Sequence, residues 1–488
     1  MRLSLKEFYQ RVSQFHENPA VIEFVSTPRG NILLWMIVLI LLSGRMRYFP
    51  LVPLMVLSQL RPTQRTLFMS LGGVILVFGS QLPKLGVDDP FVFMATAAVL
   101  LAFIFMIFRI AKSFAAFPAV VKRYPQITLH LLLWSVLLPI IFFSGIPDSV
   151  PVALKATITA VILMLPHLVW RLGYLLYSGK HGTLQNGRFR DHLFYCLPAF
   201  GGTNVPFGRG HEYLQSKKSD SGLDLSRSQL AGLKLLFLAW LWIIAREVFS
   251  LWFYGEAGHL TGISTESNFG LFRLKELISG SAPAPSLPMA WTCLLVDMVD
   301  DTLDLAILGH LVIGCLRLFG FNVFRNTYKP LLATSIVDFW NRYYYYFKEL
   351  LVEFFFFPVF LSFFKKQPRL RIFAAVMAAA FAGNFYYHAM QQLGLFLDLG
   401  FVDAFTQIRS YGFYAFLLGL GVVISMSREK ACRGKIRPQH SAFMSSWITV
   451  RKIAGVWIFF SLVRIWDQPG TLFMDETRFF LSLFYIIF

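Results

Sequence analysis

Three groups of polar residues lie inside apolar stretches of this chain, where charge and hydrogen-bonding groups are costly and usually kept for a purpose. In the first, Asp297, Asp300, Asp301 and Asp304 recur at i, i+3, i+4 and i+7, which puts four carboxylates on one face of a helix, with His310 two turns beyond. That stripe must meet either a hydrated cavity or basic partners. Buried arginine or lysine would use it structurally, whereas an open path would use it to bind hydroxyl groups. The second group is Asp338-Phe339-Trp340-Asn341-Arg342-Tyr343-Tyr344-Tyr345-Tyr346-Phe347-Lys348-Glu349. Tyrosine suits an interfacial belt, but four hydroxyls beside Asn341 and Arg342 exceed what anchoring requires. The third is His388, within Gly383-Asn384-Phe385-Tyr386-Tyr387-His388, with Asn384 one helical turn before it on the same face. A neutral imidazole in such a place can act as a general base. The amides of Asn384 and Asn341 and the tyrosine hydroxyls are hydrogen-bond donors. His130, His167 and His310 lack such neighbours and read as structural.

The elements that must position these residues are membrane helices. Of the 488 residues, 56% are hydrophobic and 15% charged, against about 25% charged in a soluble chain; the mean hydropathy is +0.58. The 52 phenylalanines suit a surface that faces lipid. A crossing helix needs about 20 apolar residues. Expected spans are 31–60 (a hairpin broken at Arg45–Arg47), 66–83, 91–108, 127–146, 152–177, 229–254, 289–318, 372–396, 411–426, 447–466 and 477–488. The stretches 193–207 and 343–364 are shorter, and are expected to re-enter the membrane and line a cavity. The fold expected is all-α: a polytopic integral membrane protein of about 11–13 transmembrane or re-entrant helices. Residues 1–30 form an amphipathic interfacial N-terminus, with Leu3, Leu5, Phe8 and Val12 among basic residues, and 31–488 a single membrane domain.

The net charge of +18 is distributed as the positive-inside rule requires, which argues against nucleic acid as a partner. Arg109, Lys112, Lys122 and Arg123 form one basic cluster, and Lys365, Lys366, Arg369 and Arg371 another. Between Arg428 and Lys452 there are seven basic residues and one acid. The intervening loops are acidic, at Asp88 and Asp89, Asp148, Asp398 and Asp403, then Asp467 and Asp475. Residues 178–228 are thus expected on the cytoplasmic side, and 255–288, with Glu256, His259 and Glu266, on the other. Cys196, Cys293, Cys315 and Cys432 show no metal spacing and read as buried thiols. There is no P-loop, GxGxxG or CxxC.

Asp304-Leu305-Ala306-Ile307-Leu308-Gly309, Leu318-Phe319-Gly320-Phe321, Tyr328-Lys329-Pro330-Leu331, Ser335-Ile336-Val337-Asp338-Phe339-Trp340-Asn341-Arg342-Tyr343-Tyr344 and Tyr387-His388 follow one another in order over about 90 residues. This stretch resembles the signature half of the membrane-bound O-acyltransferase superfamily. It looks most like the bacterial branch of alginate O-acetylation and teichoic-acid D-alanyl transfer proteins. Phe194-Tyr195-Cys196-Leu197-Pro198-Ala199-Phe200-Gly201-Gly202 resembles that family's Pro-Gly-Pro opening only loosely, and the first 190 residues match in hydropathy alone. The resemblance implies a core at about 290–395 around a tunnel, with His388 catalytic and Asn341 and Tyr344 assisting. Asn384, Trp340, Arg342, Tyr387, Asp304 and Asp301 would be substrate-binding. It implies no bound cofactor or metal, and an acyl-CoA or acyl-carrier thioester as cytoplasmic co-substrate. The acceptor would be a hydroxyl of an extracytoplasmic glycan, lipid-linked sugar or other envelope molecule. Membrane lipids and envelope-modification proteins would be partners, and a bacterial inner membrane the location. Where that branch has histidine in its Arg-Trp-His element, this chain has Tyr344, which opens the question of the acceptor. A transporter or a non-catalytic membrane protein is the competing class.

Overall fold

A computed structural model describes residues 14–44, 48–76, 89–142, 149–184, 187–196, 211–256, 268–432 and 442–486. The expected interfacial helix at Leu3–Val12, the break at Arg45–Arg47, Asp88, Asp148, residues 197–207, His259 and Glu266 lie outside the described residues. So do the side chains of His167, Cys196 and Cys432.

The chain is an all-α polytopic membrane protein, and no strand occurs among the described residues. Five described helices are long and apolar enough to cross a membrane: Pro90–Ala116, Pro125–Phe142, Gly222–Tyr254, Pro368–Gln391 and Leu393–Ala431. Counting each bent pair as one span gives up to seven, the pairs being Pro19–Ser26 with Pro28–Ser43 (94°) and Val152–Pro166 with Leu168–Lys180 (62°). The second bend follows Pro166, whose missing N–H and ring clash break the helical ladder.

The 31–60 stretch is two helical pieces, Pro28–Ser43 and Val52–Leu60, on either side of the expected break. Three other expected spans are drawn differently. The 372–396 span ends at Gln391, and 411–426 belongs to a longer helix that kinks at Gly400, where φ is +77°. That conformation suits a residue without a Cβ. The 477–488 run forms only the ten-residue helix Phe473–Ser482, about 15 Å long and too short to cross. Leu287–Leu318 does form one 32-residue helix, but its aspartates exclude it from an apolar count.

Two compact units make up the chain. One comprises Met1–Ile140, Ile146–Trp240 and Leu308–Asn326; the other comprises Ile141–Gly145, Leu241–Ile307 and Thr327–Phe488. In the first, helix Pro90–Ser113 packs along Val152–Lys180, and Phe189–Cys196 along Arg65–Leu76. Gly232 and Gly314 meet where two long helices touch, since a Cβ on Gly232 would stand 2.8 Å from the Gly314 carbonyl oxygen. Among its described residues the second unit has two apolar cores. One gathers Leu274, Leu294, Ile465 and Phe479, the other Met298, Phe339, Leu418 and Phe460. Its helices carry two π-helical turns, Val352–Phe356 and Ala378–Gly383, which pack against each other.

Candidate active site

The π turn Ala378–Gly383 inserts extra residues into the helix just before Asn384–Gln391. Such bulges re-aim side chains and are frequent at functional sites. Beyond it, Asn384, His388 and Gln391 follow at i, i+4 and i+7, one polar stripe on an apolar helix. Asn384 is 1% exposed, and both atoms of its amide lack a hydrogen-bond partner among the described residues, as does Nε2 of Gln391. An unsatisfied buried amide costs about 1–3 kcal/mol, so these groups are poised for a ligand or water.

Rings enclose His388. Its imidazole stacks on Tyr411 with centroids 4.8 Å apart and planes 17° from parallel, and Tyr414 meets it edge-on at 6.1 Å. The neighbouring Tyr387 packs on Phe347 at 4.6 Å. Phe347 in turn contacts Tyr344 and Trp340, at 5.4 and 6.3 Å. The Trp340 indole N–H is buried without a partner among the described residues. His388, Tyr343, Tyr344, Tyr414, Arg464 and Asp467 each keep some surface within reach of a water-sized probe. None of the six is fully covered, so water or a small ligand can reach each of them.

The aspartate stripe meets this cluster at Tyr343, and each of its members is paired. The Tyr343 hydroxyl donates to Asp301 at 2.6 Å. Arg464 joins Asp301 at 2.6 Å and Asp297 at 2.8 Å. Asp300 receives Arg246 and Arg273, each at 2.8 Å, and Arg246 also reaches Asp304. Arg273 continues to Glu256 at 2.5 Å and lies 3.8 Å over the Tyr254 ring. Paired and hydrogen-bonded carboxylates are the form in which buried charge is tolerated.

Of the residues singled out in the sequence, His388, Asn384 and Tyr387 share one helix. Tyr344 and Trp340 join them through Phe347, and Asp301 through Tyr343. Asn341 and Arg342 do not join: Asn341 is exposed, and the Arg342 guanidinium turns back to Asp338 at 2.7 Å. Asp304 belongs to the Arg246 end of the stripe. Sequence reasoning missed Tyr411, Tyr414, Gln391, Arg464 and Asp467. An arginine ending the apolar run Ile458-Phe459-Phe460-Ser461-Leu462-Val463 was the one available signal. Among the described residues no cluster of three or more His, Cys, Asp or Glu could hold a metal ion. No family model matches the chain, and no curated protein matches it either.

Proposed function

We propose that this protein is a membrane-embedded acyltransferase resembling the membrane-bound O-acyltransferases, moving a small acyl group from a cytoplasmic thioester to a hydroxyl acceptor. The observation that carries this reading is His388, a partly exposed imidazole among aromatic rings with the unpartnered amide of Asn384 one turn away on the same helix.

His388 takes the acceptor's proton as its oxygen attacks the thioester carbon. The Asn384 amide N–H, with no competing partner, supplies a donor to the oxyanion. Collapse of the tetrahedral intermediate breaks the C–S bond, and the histidine returns the proton to the departing thiolate. The exposed side chain of Asn341 leaves the oxyanion role to Asn384 and the tyrosines. Aspartates held by arginines serve a structural framework better than they serve an ion path, which weakens the transporter reading.

On this reading acyl-CoA or an acyl carrier is the co-substrate, no cofactor is bound, and envelope-modification proteins are partners in a bacterial inner membrane. Mass spectrometry of envelope glycans and lipids, with and without the protein, tests it. A mass increment of one acyl group that disappears with His388→Ala is expected. Identical profiles in cells with and without the protein overturn the reading.

A further inference from the structure

Helix Phe473–Ser482 docks in the second unit through one face, on which Phe473, Glu476, Phe479 and Phe480 recur at i, i+3, i+6 and i+7. Phe473 packs on Phe413 with ring centroids 5.6 Å apart, and Phe480 packs on Trp466 at 5.0 Å. Glu476 therefore brings a carboxyl to the buried side of an aromatic contact, and it is 0% exposed. Its Oε2 has no partner among the described residues. No cation among them forms an ion pair with it either, since Arg409 lies over the Phe473 ring at 5.3 Å.

The Thr471 hydroxyl shows where the proton sits. Its oxygen stands 2.9 Å from the Gln468 carbonyl oxygen and 2.6 Å from Oε1 of Glu476. A hydroxyl has one proton to give, and a backbone carbonyl can only accept. With Thr471 donating to Gln468, the contact to Glu476 needs a proton on the carboxyl. An ionised Glu476 would leave Thr471 one proton for two acceptors, and would put charge on an Oε2 that no donor meets. The neutral acid donates from Oε1 to Thr471 and leaves only a carbonyl oxygen at Oε2, which costs far less to bury. Burial accordingly raises the Glu476 carboxyl above the usual carboxylate range.

The charged and titratable groups that face Glu476 come from three places. Arg409 and Tyr411 belong to helix Leu393–Cys432, Asp467 follows Trp466, and Asp475 is on its own helix. From helix Leu274–Ile278, Lys275 stands at Gly470 instead, and Glu276 accepts from the Arg273 backbone N–H. Asp467 is pushed up to about 7 by burial, so it titrates in the same range and has to be separated from Glu476. The folded Glu476 keeps its proton above about 4.3, where an unfolded glutamate gives it up. Stability therefore falls as pH rises, until Glu476 ionises.

We propose that Glu476 is a proton-binding site, a carboxylic acid at neutral pH whose ionisation releases helix Phe473–Ser482 from Phe413 and Trp466. A charged carboxylate there has no cation to meet it and must reach water, which requires the docked face to lift. The proposal does not depend on the acyl-transfer reading. Infrared spectra of the full-length protein in detergent at pH 7, wild type minus Glu476→Gln, test the proton. A carboxylic-acid C=O band in that difference is expected, and carboxylate bands in its place overturn the proposal. Amide hydrogen exchange over residues 473–482 from pH 6 to 9, corrected for base catalysis, tests the release. Protection in the wild type should fall by up to about tenfold per pH unit once Glu476 ionises. The Glu476→Gln helix should stay protected, and Asp467, present in both proteins, cancels in the comparison. Glu476→Leu fills the same space with no ionisable group, and serves if Glu476→Gln does not fold. Equal pH profiles in wild type and variant overturn the release.

Discussion

The imidazole of His388 lies nearly parallel to the phenol ring of Tyr411, 4.8 Å from centroid to centroid and 17° from coplanar. The two come from successive helices, Asn384–Gln391 and Leu393–Cys432, and the stack fixes the plane in which the ring nitrogens lie. Among the described residues no hydrogen bond holds the imidazole, so this ring contact and the edge of Tyr414 orient it. His388→Ala is therefore expected to lower turnover by roughly 10²–10⁴-fold, the usual loss with a general base, while the purified protein stays folded. Tyr411→Phe keeps the stack and should turn over near wild type. Tyr411→Leu removes it and should lower kcat about tenfold with little change in KM. Equal kcat in Tyr411→Leu and wild type would show that the stack does not position the base.

On the acyltransferase reading proposed above, Tyr344 takes the place of a histidine. Its ring packs on Phe347, which packs on Tyr387 beside His388, and it lies within electrostatic reach of Tyr387 and Asp301. A phenol is a poor base at neutral pH and a competent donor. Tyr344→Phe deletes the hydroxyl alone and should lower turnover on the order of tenfold, the worth of one hydrogen bond. Unchanged turnover with the same acceptor would reduce Tyr344 to packing.

The candidate residues were legible where polarity interrupted an apolar run. His388 and Asn384 stood out for that reason, and the helical spacing of Asp297, Asp300, Asp301 and Asp304 gave their common face. Their partners were not legible. Arg246, Arg273 and Arg464 lie far off in sequence, and periodicity within one segment says nothing about which distant cation meets it. Tyr411 and Tyr414 sit in a helix where tyrosine passes for a membrane anchor. The 477–488 run misled because its hydrophobicity is continuous, whereas its helix stops at Ser482 and packs an amphipathic face on Trp466 and Phe413.

Sidedness is open to direct labelling. With the native cysteines removed, Ser216→Cys in the basic excursion should resist an impermeant maleimide in intact cells, and Ser281→Cys should react. The expectation follows from the basic and acidic loop bias on either side of helix Gly222–Tyr254. Reaction at Ser216→Cys in sealed cells reverses the topology.

Acid should loosen the first unit through His192. This ring is 2% exposed, lies 3.8 Å from His211 between centroids and 5.2 Å from Phe108, and faces Lys112, with Asp191 and Glu212 beside His211. Burial, then His211 and Lys112, push its pKa down to about 3. An unfolded histidine titrates near 6.5, so between about 6.5 and 3 the unfolded chain binds the extra proton. Stability is then lost as pH falls through that window, at up to about 1.4 kcal/mol per pH unit for one group. Thermal unfolding of the detergent-solubilised protein from pH 7.5 to 4.5 should show this slope, and His192→Gln should flatten it. Parallel profiles for the two proteins would assign the acid sensitivity elsewhere.

Arg464 tests whether the aspartate stripe is framework or binding surface. Its guanidinium holds Asp297 at 2.8 Å and Asp301 at 2.6 Å, and Asp301 also accepts the Tyr343 hydroxyl. Arg464→Met keeps an apolar stem of similar length but leaves two carboxylates, one turn apart, without their cation. Removing one partner of a buried pair costs about 3–5 kcal/mol, because the remaining charge stays buried. The side chain of Asp301 is 40% exposed, so solvent screens part of that cost and the lower end is expected. Adding Asp297→Asn and Asp301→Asn to Arg464→Met removes the orphaned charges and should restore most of the lost stability. If the triple variant regains wild-type stability and also transfers acyl groups at the wild-type rate, the stripe serves only as framework. If it regains stability yet turns over more slowly, with a raised KM for the acceptor, Asp301 contacts the acceptor as well as Arg464. An Arg464→Met protein as stable as wild type would show that these ion pairs hold nothing together, and the aspartate stripe would need another explanation.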